Sequence, residues 1–165
     1  QSIIRLWRTF SSAVRNNTVQ IVFSLLVLIV CGALEEMLPK FAGIGFPLLL
    51  SAVQVFSMRR DWFTTVVFAL AAGAVEDSIS FLPMMTSSAY FLAVAALAHW
   101  SGLPRGTMLF TYPFYQPYLA LWTTGMGGSI FIRTLAAIPV GLFTVWAMSA
   151  ILIRLEGKVA FDEAG

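Results

Sequence analysis

The sequence predicts an all-α integral membrane protein with about six transmembrane helices, and three observations support this fold class. Hydrophobic residues make up 59% of the 165 residues, and charged residues only 11%. Soluble globular domains carry about 25% charged residues. The mean hydropathy is +0.84, and apolar runs long enough to cross a hydrocarbon core of about 30 Å recur along the chain. With so few polar residues, most of the surface is expected to face lipid.

The predicted membrane domain covers residues 19–153 and consists of six apolar spans joined by short loops. The spans are expected at 19–34, 41–57, 62–82, 84–100, 108–126 and 130–153. Residues 1–18 form a cytoplasmic or interfacial segment, which we predict to be an amphipathic helix in the membrane surface, with a disordered tail as the alternative. Residues 154–165 are expected to be a cytoplasmic tail.

Prolines and glycines predict irregular geometry in two of these spans. Gly43, Gly45 and Pro47 at the start of the second span favour an irregular or tilted beginning. Pro113 and Pro117 remove two helical donors from the fifth span, which is expected to kink or to unwind locally. Spans three and four are joined only through the sequence FLPMM, so a broken re-entrant element, with four or five spans in total, is the alternative.

The distribution of Lys and Arg predicts that both termini lie in the cytoplasm. With six spans, eight of the ten basic residues fall on the side of the termini, and the other two, Lys40 and Arg133, fall on the opposite side. Cytoplasmic loops of membrane proteins carry an excess of Lys and Arg. The charge pattern therefore agrees with an even number of spans.

Two adjacent acids, Glu76 and Asp77, interrupt the third span in the sequence LAAGAVEDSISFLP. They lie about 21 Å along the helix from Trp62, at 1.5 Å per residue, and therefore in the outer third of the membrane. A charged group there is costly and is expected to face protein, a water-filled cavity or a basic partner. Adjacent helical residues diverge by about 100°, so the two acids are expected to have different roles.

Each acid has a predicted environment. Asp77 precedes Ser78 and Ser80, and its short side chain is suited to capping a break in the helix. Arg133 is the basic residue that the topology places at similar depth, and we predict that it pairs with Asp77 or Glu76. An arginine that extends to the lipid headgroups is the alternative. Glu35 and Glu36 are interpreted as solvated acids at a helix end.

Small and aromatic residues add two further predictions. Ala69 and Gly73 have the small-xxx-small spacing that lets another helix approach closely. Aromatic residues in the fifth span could line a ligand pocket, although an interfacial belt or packing around the prolines is the interpretation that we favour. These aromatic residues are Tyr112, Tyr115, Tyr118 and Trp122.

The sequence offers no pattern typical of catalysis, of metal binding or of nucleic-acid binding. It has one Cys and one His, no nucleophile constellation and no phosphate-binding glycine loop. The net charge is only +2, and topology accounts for the arginines. We therefore expect no enzyme activity, no cofactor, no metal site and no nucleic-acid partner.

The order of these features resembles the rod shape-determining protein MreD family. Pro47 opens the second span, the basic loop SMRRD follows, and Gly73, Asp77 and Ser80 match a Gly-x-x-x-Asp-x-x-Ser/Thr phrase in the third span. The chain departs from the family pattern in two places. Glu76 replaces a residue that is commonly apolar, and FLPMM replaces a glycine-rich turn.

The resemblance implies a non-catalytic scaffold in the bacterial inner membrane that supports cell shape and peptidoglycan synthesis. Its implied partners are an MreC-like bitopic protein, the wider elongation complex of MreB, RodA and a class B penicillin-binding protein, and membrane lipid. It also implies a six-helix fold similar to the substrate-binding subunits of energy-coupling-factor vitamin transporters, so such a subunit is the alternative function. We expect a partner-binding groove near the outer leaflet, lined by span three and braced by Asp77 and Arg133.

Overall fold

A computed structural model describes the backbone of residues 2–40, 44–100, 111–123 and 129–162, and side chains within these ranges from 18 to 155. The described part of the chain is all-helical, as predicted. It contains α1 (Ser2–Met37), α2 (Leu48–Ser57), α3 (Trp62–Ile79), α4 (Thr86–Trp100), α5 (Thr111–Thr123) and α6 (Ser129–Asp162).

Three segments are long and apolar enough to cross a membrane: Thr18–Met37 in α1, Trp62–Ile79 in α3 and Ser129–Leu155 in α6. α2 is apolar but has only 10 residues. α4 and α5 have 15 and 13 residues, or about 23 and 20 Å at 1.5 Å per residue. The chain is therefore compatible with a membrane protein, and three of its helices have the length of full spans.

The helix boundaries modify several predictions. α1 runs without a break from Ser2 into the first predicted span, so the N-terminal segment is helical, although the side chains of 2–17 lie outside the described set. α2 starts only after Pro47, which confirms the irregular start of the second span. α5 stays helical through Pro113 and Pro117, so of the two predicted outcomes local unwinding is wrong, and a kink stays a prediction. Pro113 lies in the first turn, where a helix has no acceptor for its N–H groups.

α2 forms the centre of the core. It contacts α1, α3, α4 and α6, and every residue from Leu49 to Ser57 is buried. The Phe56 ring packs against Phe68 of α3 with 4.5 Å between ring centroids. Large apolar side chains on α1, α3 and α6 are exposed instead, as expected for surfaces that face lipid.

α3 and α4 form a close helical pair, as the small residues of α3 predict. Ala69 is fully buried, and a Cβ built on Gly73 would lie 2.3 Å from the Cα of Ser88 in α4. The turn between the two helices is tight, since Phe81 and Met85 both adopt positive φ angles of 52° and 74°. The turn brings the end of α3 and the start of α4 side by side at one end of the molecule.

Candidate functional site

The acids at the end of α3 are both buried, with 8% of Glu76 and 5% of Asp77 exposed. As helical geometry predicts, they point in different directions. Asp77 Oδ1 accepts a hydrogen bond from the backbone N–H of Ser87 at 2.7 Å. Glu76 Oε1 accepts one from the Ser80 hydroxyl at 2.9 Å.

Asp77 caps the helix that follows the break. Ser87 lies in the first turn of α4, where backbone N–H groups lack intrahelical acceptors and the helix dipole favours a negative charge. The Asp77 carbonyl oxygen also accepts from the N–H of Leu82 at 2.9 Å. One residue therefore fixes both the turn and the start of α4, which agrees with the predicted capping role.

Glu76 faces a small cavity of about 90 Å³. The ends of α1 and α3, the residues before α2, and one face of α5 enclose this cavity. The polar side chains that line it are those of Glu35, Lys40, Glu76, Ser80, Tyr112, Tyr115 and Gln116. We call it the acidic cavity.

Glu35 belongs to the acidic cavity, and its interpretation as a solvated acid is wrong. Its Oε2 accepts a hydrogen bond from the backbone N–H of Leu49 at 3.1 Å, in the first turn of α2. The carboxyl group of Glu35 also interacts electrostatically with Glu76 and with Lys40. Glu36, in contrast, is exposed. Sequence reasoning missed Glu35 because the approach of α2 to the end of α1 is a tertiary contact.

Lys40 supplies the positive charge that Arg133 was predicted to supply. Lys40 acts electrostatically on both Glu35 and Glu76, and its side chain is exposed at the edge of the cavity. Arg133 is exposed on α6. Asp77 Oδ2 is buried and has no hydrogen-bond partner among the described residues, so the predicted ion pair between Asp77 and Arg133 is wrong. The physical reason is that α3 packs mainly on α4 and α2, whereas α6 packs on α5 and α2.

Two of the four predicted pocket aromatics line the acidic cavity. The Tyr112 hydroxyl donates to the carbonyl oxygen of Gly45 at 2.5 Å, and the Tyr115 hydroxyl shares a hydrogen bond of 2.6 Å with Ser87 Oγ. Tyr118 instead donates to the carbonyl oxygen of Thr86 at 2.8 Å and fastens α5 to α4. Trp122 is exposed, so its predicted place in a pocket is wrong.

Two larger surface grooves lie away from the acids. The first, which we call the α1–α3 groove, has a volume of about 570 Å³ and runs between residues 20–28 of α1 and the N-terminal half of α3. The residues lining it include Gln20, Ile21, Leu25, Asp61, Phe63, Val67 and Ala71. The second, the α1–α6 groove, has about 430 Å³ and is lined almost entirely by apolar side chains.

The α1–α3 groove lies at the opposite end of α3 from the one predicted. Phe63 precedes Glu76 by 13 residues, or about 20 Å along the helix. With the predicted orientation, this end of α3 is cytoplasmic, whereas the predicted groove lies near the outer leaflet. The bracing of that groove by a pair of Asp77 and Arg133 is not present among the described residues.

Asp61 places a negative charge at the mouth of the α1–α3 groove. Its Oδ2 accepts from the Thr64 backbone N–H at 3.0 Å, and its Oδ1 accepts from the Thr64 hydroxyl at 2.7 Å. These hydrogen bonds, with the backbone N–H bond contributing most, lower the pKa of the exposed Asp61 carboxyl group. Asp61 is therefore ionised at neutral pH while it caps α3.

Among the described residues, no group of three or more His, Cys, Asp or Glu side chains is arranged to hold a metal ion. Comparison of the chain with protein-family models, with curated proteins and with solved structures finds no match in any of the three. The resemblance to the MreD family therefore stays a prediction, and function has to be argued from the acidic cavity and the grooves.

Proposed function

We propose that this protein is a non-catalytic membrane scaffold of the bacterial cell-elongation complex, and that it binds the transmembrane segment of an MreC-like bitopic partner. The observation that supports this proposal is the α1–α3 groove, which combines an apolar floor with a single acid at one end. The MreD-like order of sequence features supplies the complex and the partner.

The groove has the shape and chemistry that suit a helix. Phe63 is 76% exposed, and Ile21, Leu25 and Val67 are more than half exposed along the same groove. Association of helices in membranes depends on close packing rather than on hydrophobic burial. A partner helix would fill the groove between α1 and α3 and cover these side chains.

Charge complementarity favours one orientation of the partner helix in the α1–α3 groove. A bitopic membrane protein carries Lys and Arg next to the cytoplasmic end of its helix. In the proposed topology of six spans with both termini in the cytoplasm, Asp61 lies at that same side. The ionised Asp61 carboxylate would therefore meet the basic flank of the partner at the membrane surface, where opposite charges favour the correct register.

The size of the acidic cavity weighs against the alternative of a vitamin-binding transporter subunit. Pockets for small organic ligands have volumes of about 300–1,000 Å³. The acidic cavity has about 90 Å³, although it does combine aromatic and polar side chains. A vitamin would not fit there without displacement of the helices around it.

The proposal is tested by co-purification of a co-expressed MreC-like protein with three variants, in each of which one alanine is replaced by tryptophan. Ala71→Trp fills the α1–α3 groove, whereas Ala74→Trp places the same side chain on an exposed position of the same helix. Ala147→Trp fills the α1–α6 groove. We expect at least a tenfold loss of partner for Ala71→Trp only, since about 1.4 kcal/mol of lost affinity is tenfold.

Three results would reject the proposed function. One is wild-type protein that retains no MreC-like partner but carries a vitamin-sized molecule. The second is equal retention of the partner by Ala71→Trp and Ala74→Trp, with both variants folded as judged by gel filtration. Loss of the partner in Ala147→Trp alone would move the partner to the α1–α6 groove and would also contradict the proposal.

A further inference from the structure

The acidic cavity collects more negative charge than its neighbours balance. Glu35 and Glu76 lie near the C-terminal ends of α1 and α3, which stop at Met37 and Ile79. The last carbonyl groups of a helix carry a partial negative charge that favours cations. Two acids and two helix ends of the same polarity therefore converge on about 90 Å³.

Glu76 presents a buried oxygen to this cavity. The residue is 92% buried, since only 8% of it is exposed. Its Oε1 accepts from the Ser80 hydroxyl, and its carboxyl group also shares a side-chain hydrogen bond with the Glu35 carboxyl group. No N–H or hydroxyl group of the described residues donates to the buried Oε2. A buried acceptor without a partner is costly, and more so when it is charged. The position of Oε2 thus calls for a positively charged or proton-donating group inside the cavity.

The neighbouring residues hold both acids at the cavity. The N–H of Leu49, in the first turn of α2, donates to Glu35, as the N–H groups of helix N-termini do to anionic ligands. Lys40 is the positive side chain that lines the cavity, and it is exposed at the edge. When both acids are ionised, two carboxylates and one ammonium group leave one negative charge to be balanced.

The cavity has room for one small ion and not for an organic molecule. Since a water molecule occupies about 30 Å³ in the liquid, the volume holds an ion with one or two waters. The polar oxygens around it are those of Glu35, Glu76, Ser80 and Gln116, with the Tyr112 hydroxyl. Carboxylate, hydroxyl and amide oxygens are ligands for hard cations, and the absence of a third acid among the described ligands disfavours a divalent ion.

We propose that the acidic cavity binds one small monovalent cation of the Na⁺ class between the carboxylates of Glu35 and Glu76. The cation links the end of α1 to the end of α3, and through the Leu49 N–H, which donates to Glu35, it also fixes the start of α2. The cation site does not depend on the partner-binding role, because it lies at the opposite end of α3 from the α1–α3 groove.

The test measures thermal unfolding of the full chain in detergent by tryptophan fluorescence. NaCl is titrated at constant ionic strength against N-methyl-D-glucamine chloride, whose cation is too large for the cavity. We expect a saturable rise in Tm of about 5 °C with Na⁺. Glu36→Gln, which changes the exposed neighbouring acid, is expected to keep this rise, whereas Glu76→Gln and Glu35→Gln are expected to lose it.

Two further measurements test the cation site if Glu76→Gln and Glu35→Gln do not fold: the Na⁺ affinity of Lys40→Gln, and direct binding of ²²Na⁺ to the wild-type protein. Removal of the Lys40 charge is expected to increase the apparent affinity for Na⁺ at least threefold, because the ammonium group competes with the ion. Wild-type protein is expected to bind about one ²²Na⁺ per chain. Three results would each reject the cation site: equal Tm rises in both salts, no bound ²²Na⁺, or a Tm that responds to pH but not to Na⁺. The last of these would show that the cavity binds a proton instead.

Discussion

At the residue scale, the two adjacent acids of α3 have different roles. Asp77 binds the start of α4, and Glu76 faces the acidic cavity. Helical geometry predicts the divergence from sequence alone. The partners could not be predicted in the same way. Glu35 reaches Glu76 because the start of α2 packs against the end of α1, whereas charge and depth alone indicated Arg133.

Asp77→Ala is expected to destabilise the protein, while Arg133→Gln is not. Loss of a buried hydrogen bond to a charged group costs about 1.5–3 kcal/mol, and exposed charges contribute little. Thermal unfolding in detergent measures both changes. A charge swap of Asp77 and Arg133 that restored the stability lost in either single variant would contradict this assignment.

Gly73→Ala is expected to disrupt the contact between α3 and α4. The added Cβ would lie 2.3 Å from the Ser88 Cα and 2.4 Å from its backbone nitrogen, so a backbone rather than a flexible side chain has to move. Overpacking of this kind costs about 1–3 kcal/mol. Gly32→Ala is the matched control, because its Cβ would meet the side chain of Val75 at 3.0 Å. Similar losses of folded yield in the two variants would argue against close packing at Gly73.

At the element scale, apolar length and turn residues predicted the existence and order of the six helices. They did not predict that α2 starts only at Leu48 and α4 only at Thr86, because the apolar residues just before each helix are not helical. They also did not predict that α5 continues through Pro117, since tertiary packing can hold a helix that has lost one hydrogen bond. Helix ends of this kind depend on neighbours that a single sequence does not reveal.

The start of α3 gives a prediction about pH. Asp61 caps this helix, and Asp61→Ala is expected to cost about 1 kcal/mol at pH 7. Because folding lowers the pKa of Asp61, its contribution is complete above the unfolded value of about 3.9 and is lost as pH falls through the lower folded value. The stability difference between wild type and Asp61→Ala should therefore shrink below about pH 4. Asn caps a helix without titrating, so the stability difference between Asp61→Asn and Asp61→Ala should not change with pH. A stability difference between wild type and Asp61→Ala that is also independent of pH would contradict the capping role of the carboxylate.

At the scale of the whole molecule, topology is tested by cysteine labelling. Cys31 is buried, and Cys31→Ser gives a background for single cysteines at Met58, between α2 and α3, and at Met84, between α3 and α4. With six spans and cytoplasmic termini, a membrane-impermeant maleimide should label Met84→Cys in intact spheroplasts and Met58→Cys only after permeabilisation. Labelling of both positions from the same side would show that α3 does not span the membrane and would favour a re-entrant α3–α4 hairpin.

The acidic cavity and the α1–α3 groove lie at opposite ends of α3. One end holds the small acidic cavity, and the other opens into the α1–α3 groove, which has about six times its volume, at 570 against 90 Å³. Composition predicted a membrane protein, because the charged fraction is too low for a soluble domain. The position of the groove depends on how α1 packs beside α3, a tertiary contact that no local pattern in the sequence encodes.

Site-specific photocrosslinking tests the central claim, that the α1–α3 groove receives a partner helix. A photoreactive phenylalanine analogue replaces Phe63 in the groove, and in a second variant it replaces Trp146, which is 68% exposed on α6 and outside both grooves. With a co-expressed MreC-like protein, we expect Phe63 to crosslink to the transmembrane segment of that protein and Trp146 to give no such product. Equal crosslinking from both positions, or none from Phe63 while the two proteins still co-purify, would contradict the proposed mode of binding.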